Sequence, residues 1–227
     1  MTRALLFDLD DTLYPERRFL LSGLAAVAAE VQAWTRLDRR LVFRHLLAAV
    51  ESEGRRHAFQ SLCGAFGLDP AIVPRLVRHY RSHQPRLPRS TVRTLQSARR
   101  TWRTAVLTNG LPDVQRRKIA ALGIADLVDA VLVASEWGSG RGKPEPHGFL
   151  AALDRLGVEP AQAVFAGDDP ACDVLGARAL GLATIRVRTY AHRWSPPEGD
   201  ADAVVDRLPA VPAVASRLLR GRHVTCA

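Results

Sequence analysis

Cysteine is scarce in this chain and poorly placed for pairing. Cys63, Cys172 and Cys226 are odd in number and far apart, so neither a disulfide framework nor a Cys-x-x-Cys metal knuckle is present. Long apolar runs are missing too, and nothing approaches the ~20 residues of a membrane span. Between Arg3 and Asp8 lie only Ala4-Leu5-Leu6-Phe7, too few for the apolar stretch of a signal peptide. These absences predict a cytoplasmic protein with no membrane partner. Lysine is almost absent: Lys118 and Lys143 are the only two among 32 Lys and Arg residues. The net charge of +9, and a pI of about 10.6, therefore rest on arginine. The arginines fall in singles and pairs, such as Arg17-Arg18, Arg39-Arg40, Arg55-Arg56, Arg99-Arg100 and Arg116-Arg117. There is no dense basic tail and no arginine–aromatic alternation. That pattern reads as a solvated surface and not as a nucleic-acid face, although its field favours an anionic substrate. Internal repeats and low-complexity segments are lacking as well.

What is present is ordinary globular material. The 227 residues are 47% hydrophobic and 24% charged, enough for one good-sized domain or a domain with a smaller insertion. Ala4 to Phe7 is a short apolar run that ends in acid, as a fully buried strand would. Residues 17–83 then read as almost entirely helical, with apolar residues at three and four spacing: Leu20, Leu24, Val27, Val31, and later Leu41, Leu46, Leu47, Val50. Gly64, Gly67 and Pro70 break the segment, and Gln84 to Pro88 reads as an extended linker.

Beyond the linker strands and helices alternate. Helices are expected over 91–102, 113–122, 146–156, after the strand at 163–166 through Leu180 and Gly181, and from about 211 to 219. Strands are expected over 104–107, 130–133, 163–166 and 184–187, with a short last one at Val204-Val205. This alternation predicts an α/β fold, a doubly wound parallel (Rossmann-like) sheet with an inserted helical-bundle cap. The expected division is residues 1–13 plus 89–227 as the core and 14–88 as the cap.

In such a sheet reactive groups gather at the C-terminal ends of the strands. Four strand ends carry unusual polar residues: Asp8-Leu9-Asp10-Asp11-Thr12, Thr108-Asn109-Gly110, the glycine-rich approach to Gly142-Lys143-Pro144, and Gly167-Asp168-Asp169-Pro170-Ala171-Cys172-Asp173. Carboxylates crowded on one edge repel one another, and burial worsens this. A hard divalent cation relieves the repulsion, and an oxygen donor set of this kind suits Mg²⁺. The cation draws in and polarises a phosphate. One carboxylate can then attack phosphorus, while a second, two residues away, serves as acid and then base.

Together these four segments resemble the motifs of the haloacid-dehalogenase-like hydrolase superfamily, in its form with a helical cap after the first motif. The resemblance spans essentially the whole chain. It implies a magnesium-dependent phosphatase acting on a small phosphorylated metabolite through an aspartyl-phosphate. By resemblance Asp8 is the nucleophile, and Asp10 is the acid/base whose backbone carbonyl ligates the metal. Asp8 and Asp168 supply carboxylate ligands. Thr108, Asn109 and Lys143 form the substrate-binding set, with Lys143 offsetting the charge of Asp8 and of the phosphoryl group. Asp173 orients Lys143 or a metal-bound water. Asp169 shares that task, or Asp169 and Asp173 cap the following helix. Thr12 is a supporting hydroxyl. Asp11 stands where the family commonly has glycine.

The family's other chemistries sort by residue. Its dehalogenases lack the carboxylate that Asp10 provides here. Its phosphonatases need a cap lysine, and 14–88 contains none. A phosphomutase of the β-phosphoglucomutase type keeps the same carboxylates and stays open, as does a non-catalytic phosphate-binding or regulatory module. His79 and His83 have helical i,i+4 spacing but read as polar surface; Trp34, Trp102, Trp137 and Trp194 read as packing residues, with Trp137 the one in reach of substrate. The substrate and the oligomeric state are not legible. A cap hinged near 14–16 and 85–88 is expected to open and close over the site.

Overall fold

A computed structural model describes residues 2–55, 57–82, 86–190 and 201–224. Arg56, His83, the Gln84-Pro85 part of the expected linker, Trp194 and Cys226 lie outside the described residues. The chain divides into two compact units, residues 1–15 with 86–227 and residues 16–85.

The larger unit is a parallel α/β fold. Strand β1 (Ala4–Phe7) opens it. The smaller unit holds α1 (Glu16–Thr35), α2 (Arg39–Glu53), α3 (Ala58–Phe66) and α4 (Val73–Ser82). The larger unit then resumes with α5 (Arg89–Arg99), β2 (Arg103–Thr108), α6 (Pro112–Leu122), β3 (Ala130–Val133) and α7 (Pro146–Leu156). It closes with β4 (Ala163–Gly167), α8 (Leu175–Ala179), β5 (Ala183–Val187), β6 (Ala203–Val205) and α9 (Val211–Val224).

The six strands lie in the order β3-β2-β1-β4-β5-β6, every pair parallel. The first three strands step outward from β1 on one side and the next three on the other. The reversal point, where a crevice forms in such sheets, falls between β1 and β4. Register pairs Phe7 with Val106 on one flank and with Ala166 on the other. The residues that follow β1 and β4 therefore leave the sheet side by side.

The uninterrupted apolar strands are explained by burial on both faces. Ala4 and Leu6, Ala105 and Leu107, Ala130 and Leu132, and Ala163 and Phe165 form one face, covered by Phe149, Ala152, Leu153 and Leu156 of α7 and Ala177 of α8. Phe149 meets Phe165 edge-on, ring centroids 5.0 Å apart. Leu5, Phe7, Val106 and Val164 are equally buried on the alternate positions. Gly123 and Gly157 end α6 and α7 in the left-handed conformation, each at φ +63°.

The smaller unit has its own core. Leu24, Val27, Ala28 and Val31 from α1 meet Val42, Leu46 and Ala49 from α2, Phe59 and Leu62 from α3, and Leu76 from α4. Asp38 caps α2 by accepting the Leu41 amide at 2.9 Å.

Two expectations need correction. The helix expected over 91–102 covers Arg89–Arg99 instead. Thr101 and Trp102 both donate their amides to the Ala98 carbonyl, which ends the helix and turns Trp102 into the interior, with the Arg3 guanidinium 4.5 Å from its ring centroid. The helix expected after the strand at 163–166 begins with a π-helical turn over Pro170–Val174, and only Leu175–Ala179 is α-helical. The Asp169 carboxylate takes the Ala171 and Cys172 amides at 2.8 and 3.0 Å, which widens the first turn.

Candidate active site

Four strand ends deliver polar side chains to one edge of the sheet, and the centre of the arrangement is Lys143. It follows the loop after β3, and its backbone is clamped to the end of β2. The Lys143 amide donates to Asn109 Oδ1 at 2.7 Å, and Asn109 Nδ2 donates back to the Lys143 carbonyl at 2.8 Å. Gly142, at φ +78°, lets the loop pass so close that a Cβ there would stand 2.5 Å from Asn109 Oδ1. The Asn109 side chain is thus spent on holding Lys143.

The Lys143 ammonium lies over the Phe165 ring and donates to Asp8 Oδ1 at 2.6 Å, Asp173 Oδ1 at 2.7 Å and the Leu107 carbonyl at 3.0 Å. Burial alone would push this ammonium down, but Asp173 and Asp8 outweigh it and hold it above its ordinary value. Asp173 reaches Lys143 because the π-helical turn folds it back over Gly167, and its Oδ2 also accepts the Asp169 amide at 3.1 Å.

Asp8, Asp168 and Asp173 each place a carboxylate oxygen within 4.8 Å of the others, and all three are buried. Burial raises Asp8 well above the usual carboxylate range; Lys143 offsets part of this, and the charges of Asp173 and Asp168 add to it. Asp168 is pushed up to about 7, first by burial and then by Asp173 and Asp11. Thr12 Oγ1 donates to Asp168 Oδ1 at 3.2 Å, a partial compensation. Three buried carboxylates against one ammonium leave an excess of negative charge. A divalent cation with hard oxygen ligands neutralises that excess, so the donor set fits Mg²⁺. The Cys172 thiol beside this cluster is pushed up to about 11 by burial and by Asp169, which argues against a thiolate nucleophile.

Asp10 faces a second basic group. Lys118 Nζ donates to its Oδ1 at 2.7 Å and its Oδ2 at 2.9 Å, and Gln115 Nε2 donates to Oδ2 at 2.9 Å. The same Gln115 amide reaches Thr108 Oγ1 at 3.2 Å and the Asn109 carbonyl at 2.5 Å. Asp8, Asp10, Thr108, Asn109, Lys143 and Asp173 therefore belong to one hydrogen-bonded network, and Asp168 joins through the acidic cluster and Thr12. Asp169 is turned away into its capping bonds. Asp11 takes φ +60°, which explains why a glycine suits that position and why aspartate, one of the residues most tolerant of this region, can replace it.

Lys118 and Gln115 were not singled out from the sequence. A signal existed: they stand three apart on α6 and so share a face, and Lys118 is one of only two lysines. Trp137, in the loop after β3, is exposed.

A family model described as haloacid dehalogenase-like hydrolase matches residues 2–181. A glyceraldehyde 3-phosphate phosphatase of Methanopyrus kandleri is 31% identical over 89% of this chain and 91% of its own length. A phosphoserine phosphatase of Thermus thermophilus is 34% identical over 84% of this chain and 69% of its own. Among solved structures, a HAD phosphatase from Thermococcus onnurineus superposes with a TM-score of 0.62, at 24% identity, over 94% of this chain and 97% of that one.

Proposed function

The chain belongs to the haloacid dehalogenase-like hydrolase family, and within it we propose a magnesium-dependent phosphatase that cleaves small phosphate monoesters through an aspartyl-phosphate on Asp8. The observation that carries this reading is the buried Asp8·Lys143·Asp173 cluster beside Asp168. It joins a carboxylate, a cation to offset charge on the phosphoryl oxygens, and a donor set for a hard metal. The relatives named for glyceraldehyde 3-phosphate and phosphoserine support a small phosphorylated metabolite as the substrate class.

In this reading Asp8, the Asp10 backbone carbonyl and Asp168 would hold the Mg²⁺. When bound, the ion would neutralise the acidic cluster and polarise the phosphoryl group. The Asp8 carboxylate attacks phosphorus, while the ester P–O bond breaks. Asp10 gives its proton to the departing oxygen, releasing the alcohol. Asp10, now a carboxylate, takes a proton from water as that water attacks the same phosphorus; the P–O bond to Asp8 breaks and phosphate leaves. Lys143 and Thr108 steady the phosphoryl oxygens, and Asp173 and Asn109 keep Lys143 in place. Residues 14–88 act as a cap that selects the ester.

The test is hydrolysis of p-nitrophenyl phosphate with Mg²⁺ and with EDTA, for wild type and Asp8→Asn, followed by a panel that includes glyceraldehyde 3-phosphate and phosphoserine. Turnover is expected only with the metal, and Asp8→Asn should lower it at least ~10³-fold. Turnover that survives either EDTA or Asp8→Asn overturns the reading.

A further inference from the structure

Lys118 and Gln115 account for a question the family chemistry leaves open in this chain: what aims Asp10. Lys118 is 4% exposed and Gln115 5%, so neither is a surface residue drawn to a nearby charge by chance. Lysine is seldom buried this deeply without a dedicated partner. In a chain that otherwise uses arginine for positive charge, both lysines bear on carboxylates of one site. A compact ammonium can approach both oxygens of one carboxylate where a planar guanidinium would need more room.

Gln115 adds an independent observation. Its amide group, with two N–H bonds, faces three acceptors: Asp10 Oδ2, Thr108 Oγ1 and the Asn109 carbonyl. Its own Oε1 is buried and has no hydrogen-bond partner among the described residues. A glutamine kept only for packing would satisfy both ends. Here the acceptor end is sacrificed and the donor end is aimed at the residues proposed to handle the leaving group and the phosphoryl oxygens.

We propose that Lys118 and Gln115 are positioning residues for Asp10, which they fix by three hydrogen bonds so that its proton reaches the departing ester oxygen. The proposal rests on the phosphatase reading above. As the ester P–O bond breaks, the O–H bond of Asp10 breaks with it; the pair of electrons stays on the carboxylate and the proton completes the alcohol. Negative charge grows on Asp10 during that step, directly against the Lys118 ammonium. The contact is therefore stronger in the transition state than before it, which is the condition for a rate effect.

Leaving groups separate this role from a structural one. Phenolate, with a conjugate acid near a pKa of about 10 as in tyrosine, needs the proton. Nitrophenolate is stable enough to depart with little help. The measurement is kcat/KM for the Mg²⁺-loaded protein on a series of aryl phosphates from phenyl to p-nitrophenyl, for wild type, Lys118→Met and Gln115→Leu. Because kcat/KM ends at formation of the aspartyl-phosphate, the second proton transfer does not enter. General acids contribute ~10²–10⁴-fold, so Lys118→Met should lose at least ~10-fold more on phenyl than on p-nitrophenyl phosphate, with Gln115→Leu showing the same trend more weakly. Melting temperatures of the variants, taken alongside, report folding separately. Losses of equal proportion across the series, or none, overturn the proposal. A wild type that turns over no member of the series and no metabolite ester would instead sink the phosphatase reading, and is seen before any variant is made.

Discussion

At Gly167 the missing side chain is what gives Asp173 its place. A Cβ there would overlap the Asp173 carboxylate, although the backbone conformation itself would suit any residue. Gly167→Ala should therefore fold and yet displace Asp173 from Lys143. A shift near 1 Å in a catalytic array can cost ~10²-fold. Hydrolysis of p-nitrophenyl phosphate by this variant is expected to slow at saturating substrate, by roughly 10–100-fold, with a melting temperature close to wild type. An unchanged maximal rate would mean that Asp173 does not set Lys143. The residue scale is also where the sequence was most informative: Asp8, Asp168 and Lys143 stand out as carboxylates and a rare lysine at or beyond strand ends, and the fold brings them together. Lys118 and Gln115 escaped because a helix face is visible in sequence, but that it meets Asp10 depends on where the fold places α6.

Among the elements, the two edge strands are fastened by the same device. Asp129, just before β3, accepts the Thr104 amide at 2.8 Å and its hydroxyl at 3.2 Å; Asp202, just before β6, accepts the Thr184 amide at 2.7 Å and its hydroxyl at 3.1 Å. Each pair sits one residue before the first paired position of its ladder. The likeness is written in the chain as Asp129-Ala130-Val131 and Asp202-Ala203-Val204. Both clips hold short strands that end the sheet order among the described residues. For Asp129, burial alone would raise its pKa, but bonds from Thr104 and Arg99 outweigh this and hold it below the usual carboxylate range. A depressed carboxylate stabilises the fold above its ordinary pKa and loses that contribution as pH falls through the folded value. Asp129→Asn should cost about 1 kcal/mol at pH 7, allowing for partial exposure. In urea melts the gap to wild type should close as pH drops below about 4. A gap that persists at low pH would show that charge is not what holds the clip. Element order was legible because burial on both faces writes apolar runs, and glycine and proline punctuate them. Boundaries were less so: the Trp102 turn and the π-helical turn are set by hydrogen bonds and packing that no periodicity records.

For the whole molecule, topology does the assembling. A sheet that starts at β1 and reverses direction at β4 brings Asp8 and Asp168 together across 160 positions of chain. Carboxylates so far apart meet only in the fold, where with Asp173 they form one buried acidic cluster. Which ester the chain prefers was not legible, because the sequence of residues 16–85 records how a helical unit packs on itself but carries no motif for a ligand. The central claim is that Asp8 becomes phosphorylated. It is tested most directly by mixing the Mg²⁺-loaded protein with substrate, quenching in acid within the first turnover, reducing with borohydride and mapping peptides by mass spectrometry. Asp8, as an acyl phosphate, should be converted to homoserine, and Asp8→Asn should show no such product. Turnover with Asp8 unmodified, or modification at another residue, would contradict it.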